Sequence, residues 1–211
     1  SHREEYSKGF MQEDTLETLV REAIAYADGS LTFAFQGGEP TLAGLDFFRK
    51  AVALQEKYND KHLSIENTIQ TNGLLIDEEW AKFLGEHRFL VGLSLDGPKK
   101  MHDRYRKDVG GQDTFARIME SARLLEQHQV DYNVVTVVTN DTAKQASFLY
   151  KFWKRNHYPF VQFIPCMDEI RRQDKTVERS AYAVEAQQYG RFLCELFDLW
   201  YADFVAGERM D

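Results

Sequence analysis

Five residues, Gln36-Gly37-Gly38-Glu39-Pro40, follow the apolar run Leu31-Thr32-Phe33-Ala34-Phe35 and hold the makings of a ligand site. Two glycines allow close approach to the backbone, because no Cβ stands in the way. Glu39 then offers a carboxylate at the carboxyl end of the run, where sheets and barrels of the α/β class place their ligands. The run itself reads as a strand covered on both faces. A carboxylate so placed suits a cation. A plain strand-to-helix turn would use the same residues, so the case depends on what surrounds them.

Similar polar groups end each later strand. Ile65 to Ile69 is followed by Gln70-Thr71-Asn72-Gly73, and Phe89 to Leu95 carries Ser94 and ends in Asp96-Gly97-Pro98. Val134 to Val138 gives way to Thr139-Asn140, and Phe160 to Ile164 gives way to Pro165-Cys166-Met167-Asp168. Singly these are turn formers. In a parallel β/α fold all five converge on one face, and that face carries the chemistry. Gln36, Gln70, Asn72, Asp96 and His102 are the candidates to meet a substrate there. Arg106, at the end of the polar stretch from Asp96, could clamp a carboxylate through two parallel hydrogen bonds, whereas Arg104 reads as solvated.

Metal ligation finds no support in the residue spacing. The 6 histidines form no His-x3-His or His-Glu-x2-His pair, and His62 and His128 fall at helix ends before strands. Cys166 and Cys194 are far apart in the chain, and Cys194 lies within an apolar helical stripe, where it reads as core. Trp80, Trp153 and Trp200 also occupy apolar helical positions and are expected to be buried.

The elements that position these groups alternate. Helical spacing of apolar residues marks Leu16 to Ala27, a helix from about Asp46, and one after Asp77, whose side chain is a plausible N-cap. Further helices run through Phe115 to Leu125, Ala146 to Trp153 and Tyr189 to Phe204. Five strands joined by helices imply parallel pairing with right-handed crossovers. A complete eight-stranded barrel needs about 250 residues, so the expected fold is α/β, a partial (β/α)6 TIM-like barrel whose first strand is missing from this chain. No repeat beyond the βα period and no low-complexity linker is present.

Composition excludes several classes. The chain has 211 residues, 43% of them hydrophobic, with 34 acidic against 26 basic side chains and a formal charge of −8. No basic tract marks a nucleic-acid partner. No apolar run approaches the ~18 residues of a membrane span, and no signal peptide opens the chain. Two cysteines make no disulfide framework, so a reduced cytoplasm is the expected compartment.

Several blocks resemble a known family. They are Phe33-Ala34-Phe35-Gln36-Gly37-Gly38-Glu39-Pro40-Thr41-Leu42-Ala43-Gly44, Gln70-Thr71-Asn72-Gly73 and Gly92-Leu93-Ser94-Leu95-Asp96-Gly97-Pro98, with His102-Asp103-Arg104-Tyr105-Arg106, Thr114-Phe115 and Gln162-Phe163-Ile164-Pro165-Cys166. Together they look like anaerobic sulfatase-maturating enzymes, which are radical S-adenosylmethionine enzymes with a SPASM extension. The resemblance runs from about Met11 to the last helix. It implies residues 1–179 as the barrel core and 180–211 as a helix leading toward a SPASM-type domain absent here. It also implies that Gly37, Gly38 and Glu39 bind the amino group of S-adenosylmethionine. Ser94 and Arg106 inherit its carboxylate or ribose side, and Met167, with the backbone near Cys166, its adenine.

One departure stands out. The family's 4Fe–4S cluster needs a Cys-x3-Cys-x2-Cys motif, which this sequence lacks. The expectation is that those cysteines lie upstream of Ser1, that auxiliary-cluster ligands and a catalytic carboxylate lie beyond Asp211, and that the chain alone is inert. The implied activity is oxidation of a Cys or Ser in a sulfatase, within a Cys/Ser-x-Pro-x-Arg type segment, to formylglycine, with a cellular reductant. Competing readings are a radical maturase of ribosomally made peptides, a β/α-barrel aldolase (for which no strand-end lysine is visible) and a degenerate barrel that only binds a partner.

Overall fold

The computed structural model describes residues 9–158, 160–167 and 180–207, together with the backbone of 169–170 and 177–178. Its elements run α1 (Glu13–Tyr26), β1 (Ser30–Phe35), α2 (Leu45–Tyr58), β2 (Ser64–Thr71), α3 (Glu78–Glu86), β3 (Leu90–Ser94), α4 (Lys99–Tyr105), α5 (Phe115–Gln127), β4 (Tyr132–Val138), α6 (Ala146–Arg155), β5 (Val161–Pro165) and α7 (Ala186–Ala206). The five strands form one parallel sheet in chain order, curled into a half-barrel. β1 and β5 are its edges. The expected partial barrel is therefore the observed fold. A short antiparallel pairing joins the backbones of Glu169–Ile170 and Val177–Glu178.

The two faces of the sheet differ. On the convex face, Phe33, Ile69, Val91, Leu93, Val134 and Val138 are buried beneath the helices. Phe48 of α2 is fully enclosed there, with its ring against those of Phe35, Phe47, Trp80 and Phe89. The concave face is mostly polar. Thr32 and Glu66 are neighbours across β1 and β2, with the Thr32 hydroxyl donating to Glu66 at 3.4 Å. The Gln70 amide donates to the Ser94 hydroxyl at 3.4 Å, and the Asn133 amide to Gln162 at 3.4 Å. Gly92 makes this layer possible, because a Cβ on it would sit 2.1 Å from the Gln70 side-chain oxygen.

That asymmetry corrects three expectations. β1 is covered on its convex face alone, with Thr32 and Ala34 exposed. In α7 only Phe192 and Leu196 are buried, while Trp200 is 43% exposed and Cys194 is exposed, so neither is core. A helix has two sides, and its apolar spacing does not say which part of a wide stripe a neighbour will cover. The stretch after Asp96 is not a solvated loop either. It contains α4, in which Lys99 pairs with Asp103 at 2.5 Å, one turn on. Asp103 Oδ1 in turn accepts from the backbone N–H of Thr114 (3.0 Å) and Phe115 (2.8 Å), capping α5 from outside its own sequence.

Candidate functional site

The glycine loop occupies the end of β1 as expected. Gly37 and Gly38 adopt φ of 103° and 57°, conformations that a side chain would strain, and no atom lies within 4 Å of where their Cβ atoms would be. Their backbone is open to a ligand. Glu39 is less open. Its Oε1 accepts from the Thr41 N–H (3.2 Å), the Thr41 hydroxyl (2.7 Å) and the Thr71 hydroxyl (2.6 Å), and its Oε2 accepts from the Asn72 N–H at 2.7 Å. A carboxylate has about four acceptor sites. Glu39 thus ties the end of β1 to the end of β2, and Oε2 alone keeps capacity for a further donor.

Across the same rim, Asp96 and Arg106 meet. Arg106 donates from Nε to Asp96 Oδ2 at 2.6 Å and from Nη2 to Oδ1 at 3.1 Å, a two-point pairing. Asp96 is 4% exposed, and its Oδ1 also accepts the Val137 N–H at 2.9 Å, which locks β3 to β4. The Arg106 side chain remains partly exposed, with Nη1 outside this pairing. An anion reaching the rim would find that guanidinium already oriented. Ser94 lies just below, 9% exposed and touched by the Gln70 amide.

His102 is inside the protein, fully buried, and touches no open surface. Its Nδ1 accepts the Asp96 N–H at 3.3 Å, and its Nε2 lies 3.0 Å from the Thr114 hydroxyl, which donates to the Arg106 carbonyl at 2.8 Å. These partners suit a neutral ring protonated on Nε2. Burial is the main force holding its pKa down to about 4, with Asp96 pulling the other way. Its role is to fix the backbone on both sides of the Asp96–Arg106 pair. Unfolded, the imidazole takes up a proton near pH 6.5; folded, only near 4. Between those values the unfolded chain binds more protons, so stability falls as pH falls. We expect a loss of up to about 3 kcal/mol over that window, measured by urea unfolding at stepped pH. The slope should flatten in His102→Gln; an equal slope would remove His102 as its source.

The remaining candidates divide. Gln36 is exposed beside the glycines, and Asn72 spends its side-chain oxygen on the Leu74 N–H at 2.9 Å. Met167 is 74% exposed, while the backbone of Cys166 is already paired, its N–H to Val138 and its carbonyl to the Val184 N–H. Asn140 is a tether: its amide donates to the Ala181 carbonyl at 2.8 Å. Asp168 lies outside the described residues. Sequence reasoning missed the structural duties of Thr41, Thr71, Asp103 and Thr114. Thr71, Asp103 and Thr114 all lie in the polar blocks quoted above, but their partners are up to 32 positions away.

The rim fits the amino-acid end of S-adenosylmethionine: open carbonyls near a carboxylate for the ammonium, an oriented guanidinium and a hydroxyl for the carboxylate. A cluster is another matter. Among the described residues no three His, Cys, Asp or Glu side chains come together as a metal-ligand set, so these residues do not fit one.

Comparisons with known proteins place the chain as a whole. The model of the radical SAM superfamily matches residues 2–152. A cysteine-type anaerobic sulfatase-maturating enzyme of Clostridium perfringens is 47% identical over 204 residues, covering 97% of this chain and 54% of that protein. A serine-type enzyme of Bacteroides thetaiotaomicron is 35% identical, covering 95% of this chain and 51% of its own length. The chain thus spans about half the length of the curated relatives it matches. Among solved structures, native anSMEcpe with bound AdoMet superposes with a TM-score of 0.91 at 47% identity, covering 96% of this chain and 55% of that one. The same protein with AdoMet and the Cp18Cys peptide also gives 0.91, at 46% identity and with 98% and 57% covered. With a glycine loop, a paired acid and base at the strand ends and a family match over most of its residues, the chain belongs to the radical SAM superfamily.

Proposed function

We propose that this chain is the cofactor-binding half-barrel of an anaerobic sulfatase-maturating enzyme, one that oxidises a residue of a sulfatase polypeptide to formylglycine. The observation that carries it is the rim, where the open glycine backbone by Glu39 and the Arg106–Asp96 pair by Ser94 stand at the ends of β1 and β3, on either side of β2. Gly37 and Gly38 would hold the ammonium of S-adenosylmethionine through their carbonyls, with Glu39 Oε2 adding charge. Ser94 and Arg106 would hold its carboxylate, and Met167 would lie against its adenine. When bound, with a reduced 4Fe–4S cluster whose thiolates come from outside the described residues, the cofactor supplies one-electron removal of hydrogen from the target Cβ. The chain's own residues bind, orient and keep the rim dry. Gln36, Gln70 and Asn72 face the peptide side.

The greater similarity to cysteine-type enzymes supports cysteine as the target. Mass spectrometry tests this. Full-length protein, reconstituted without oxygen, is given S-adenosylmethionine, a reductant and paired sulfatase-type peptides carrying Cys or Ser. Formylglycine from the Cys peptide is the expected product. 5′-Deoxyadenosine with both peptide masses unchanged would transfer the protein to another peptide substrate. At the binding step, Arg106→Ala should weaken S-adenosylmethionine by about 1.5–3 kcal/mol, as for a lost charged hydrogen bond. Unchanged affinity by calorimetry would remove Arg106 from the site.

A further inference from the structure

The stretch from Thr142 to Met167 is the longest in the chain without an acidic side chain, yet it holds Lys144, Lys151, Lys154 and Arg155 in a protein of formal charge −8. Lys154 is taken by Asp203 of α7 at 2.7 Å. The other three have no ion-pair partner among the described residues. The buried side chains of α6 are Ala146, Leu149, Tyr150 and Trp153, so Phe148, Lys151 and Arg155, at helical spacing, share the opposite, exposed face. A groove of about 500 Å³ runs between α4 and the start of α6, with Lys100, Arg104 and the half-exposed Phe148 on its walls. Its one acid, Asp141, is already held by Arg104 at 2.9 Å and by the Tyr105 hydroxyl at 3.1 Å. The fold gains little from this arrangement. Lys151 and Arg155 are like charges four positions apart, as are Lys100 and Arg104, and such pairs repel. Lys144 stands just ahead of α6, where a cation opposes the helix dipole, and only Arg155, in the last turn, is favoured by it.

We infer that the α4–α6 face is a docking surface for an acidic polypeptide segment, one with an apolar side chain among its carboxylates. Charge complementarity names the partner. Lys100, Lys144, Lys151 and Arg155 lack carboxylates of their own and flank an exposed aromatic ring. Carboxylates from a partner would relieve their mutual repulsion, and Phe148 would anchor the apolar side chain between them, as aromatic rings do at interface hot spots. On a protein that is acidic elsewhere, such a patch also steers an acidic segment to this one face. A nucleic acid fits it less well. From Phe148 to Arg155 the helix advances only about 10 Å, so a longer polyanion would run off the patch onto a surface of its own charge. The face points away from the sheet, and the inference does not depend on the proposed function.

The test uses full-length protein and two fluorescent peptides read by anisotropy. One carries Glu at every third or fourth position around a central Leu, and the other has Gln in place of each Glu. The Glu peptide should bind about tenfold more tightly at low salt, and high salt should erase the difference. Lys100→Glu combined with Lys151→Glu should abolish the preference without moving the urea unfolding midpoint. If that midpoint falls, Lys100→Gln with Arg155→Gln takes its place and should remove most of the preference. Phe148→Ala should weaken the Glu peptide about fivefold while leaving its salt dependence in place. A Glu peptide bound no better than the Gln peptide, or a preference that survives these charge changes, would overturn the inference. So would a single-stranded RNA that outcompetes the Glu peptide at this face, since the surface would then belong to nucleic acid.

Discussion

Asp96→Ala is expected to cost about 3 kcal/mol of folding stability and to weaken S-adenosylmethionine binding at least as much as loss of Arg106 itself. The deleted carboxylate takes two hydrogen bonds from Arg106 and one from the Val137 N–H. Alanine leaves that N–H without a partner and the guanidinium free to swing away from the rim. Asp96→Asn separates the two effects. Its carbonyl can still accept from Val137 and from Arg106 Nη2, but its NH2 cannot accept from Arg106 Nε, so stability should recover more than affinity. Urea unfolding and calorimetry on the two variants decide it. Equal affinity in wild type and Asp96→Asn would show that the pairing does not organise the site.

The second large effect falls on Glu39. A glutamine there presents an NH2 group in place of one acceptor oxygen, against the four donors that now converge from Thr41, Thr71 and Asn72. We expect about 2–3 kcal/mol of lost stability, since each stranded donor costs about 1–3 kcal/mol. S-adenosylmethionine affinity should drop more than tenfold, because the Gly37–Gly38 backbone loses the anchor that follows it. Glu39→Asp keeps the charge but not the reach, and should lose affinity with a smaller loss of stability. An affinity unaffected by Glu39→Gln would mean that the glycine carbonyls hold their shape unaided.

Much of this was legible in the residues. The βα alternation, the strand-end clusters and the Asp77 N-cap, which accepts the Trp80 N–H at 2.9 Å, all follow local rules. What stayed hidden depends on distant partners. α4 has no side-chain N-cap of its own and reads as polar loop, yet it holds the fully buried His102 and lends Asp103 to α5. The duty of Glu39 as a clamp needs Thr71, 32 positions on. Trp200 and Cys194 obey the helical spacing of core residues but face out, since periodicity fixes a direction around a helix and not the presence of a neighbour. The polar concave face escaped notice because β1 reads as apolar throughout until its alternate positions are seen uncovered.

The strand order has a kinetic meaning. Because β1 to β5 lie side by side in the order of the chain, each strand pairs only with its immediate predecessor and successor, as in a stack of repeats. No strand must wait for a remote segment, so ordering can begin at any βα unit and spread in both directions, and loosening can start from either edge without the centre following. β3 is that centre, with Val91 and Leu93 fully enclosed and neighbours on both sides. The strand that carries Ser94 and leads into Asp96 is therefore the one held from both sides, by β2 and β4, and the rim residues that follow it start from the most firmly held part of this sheet.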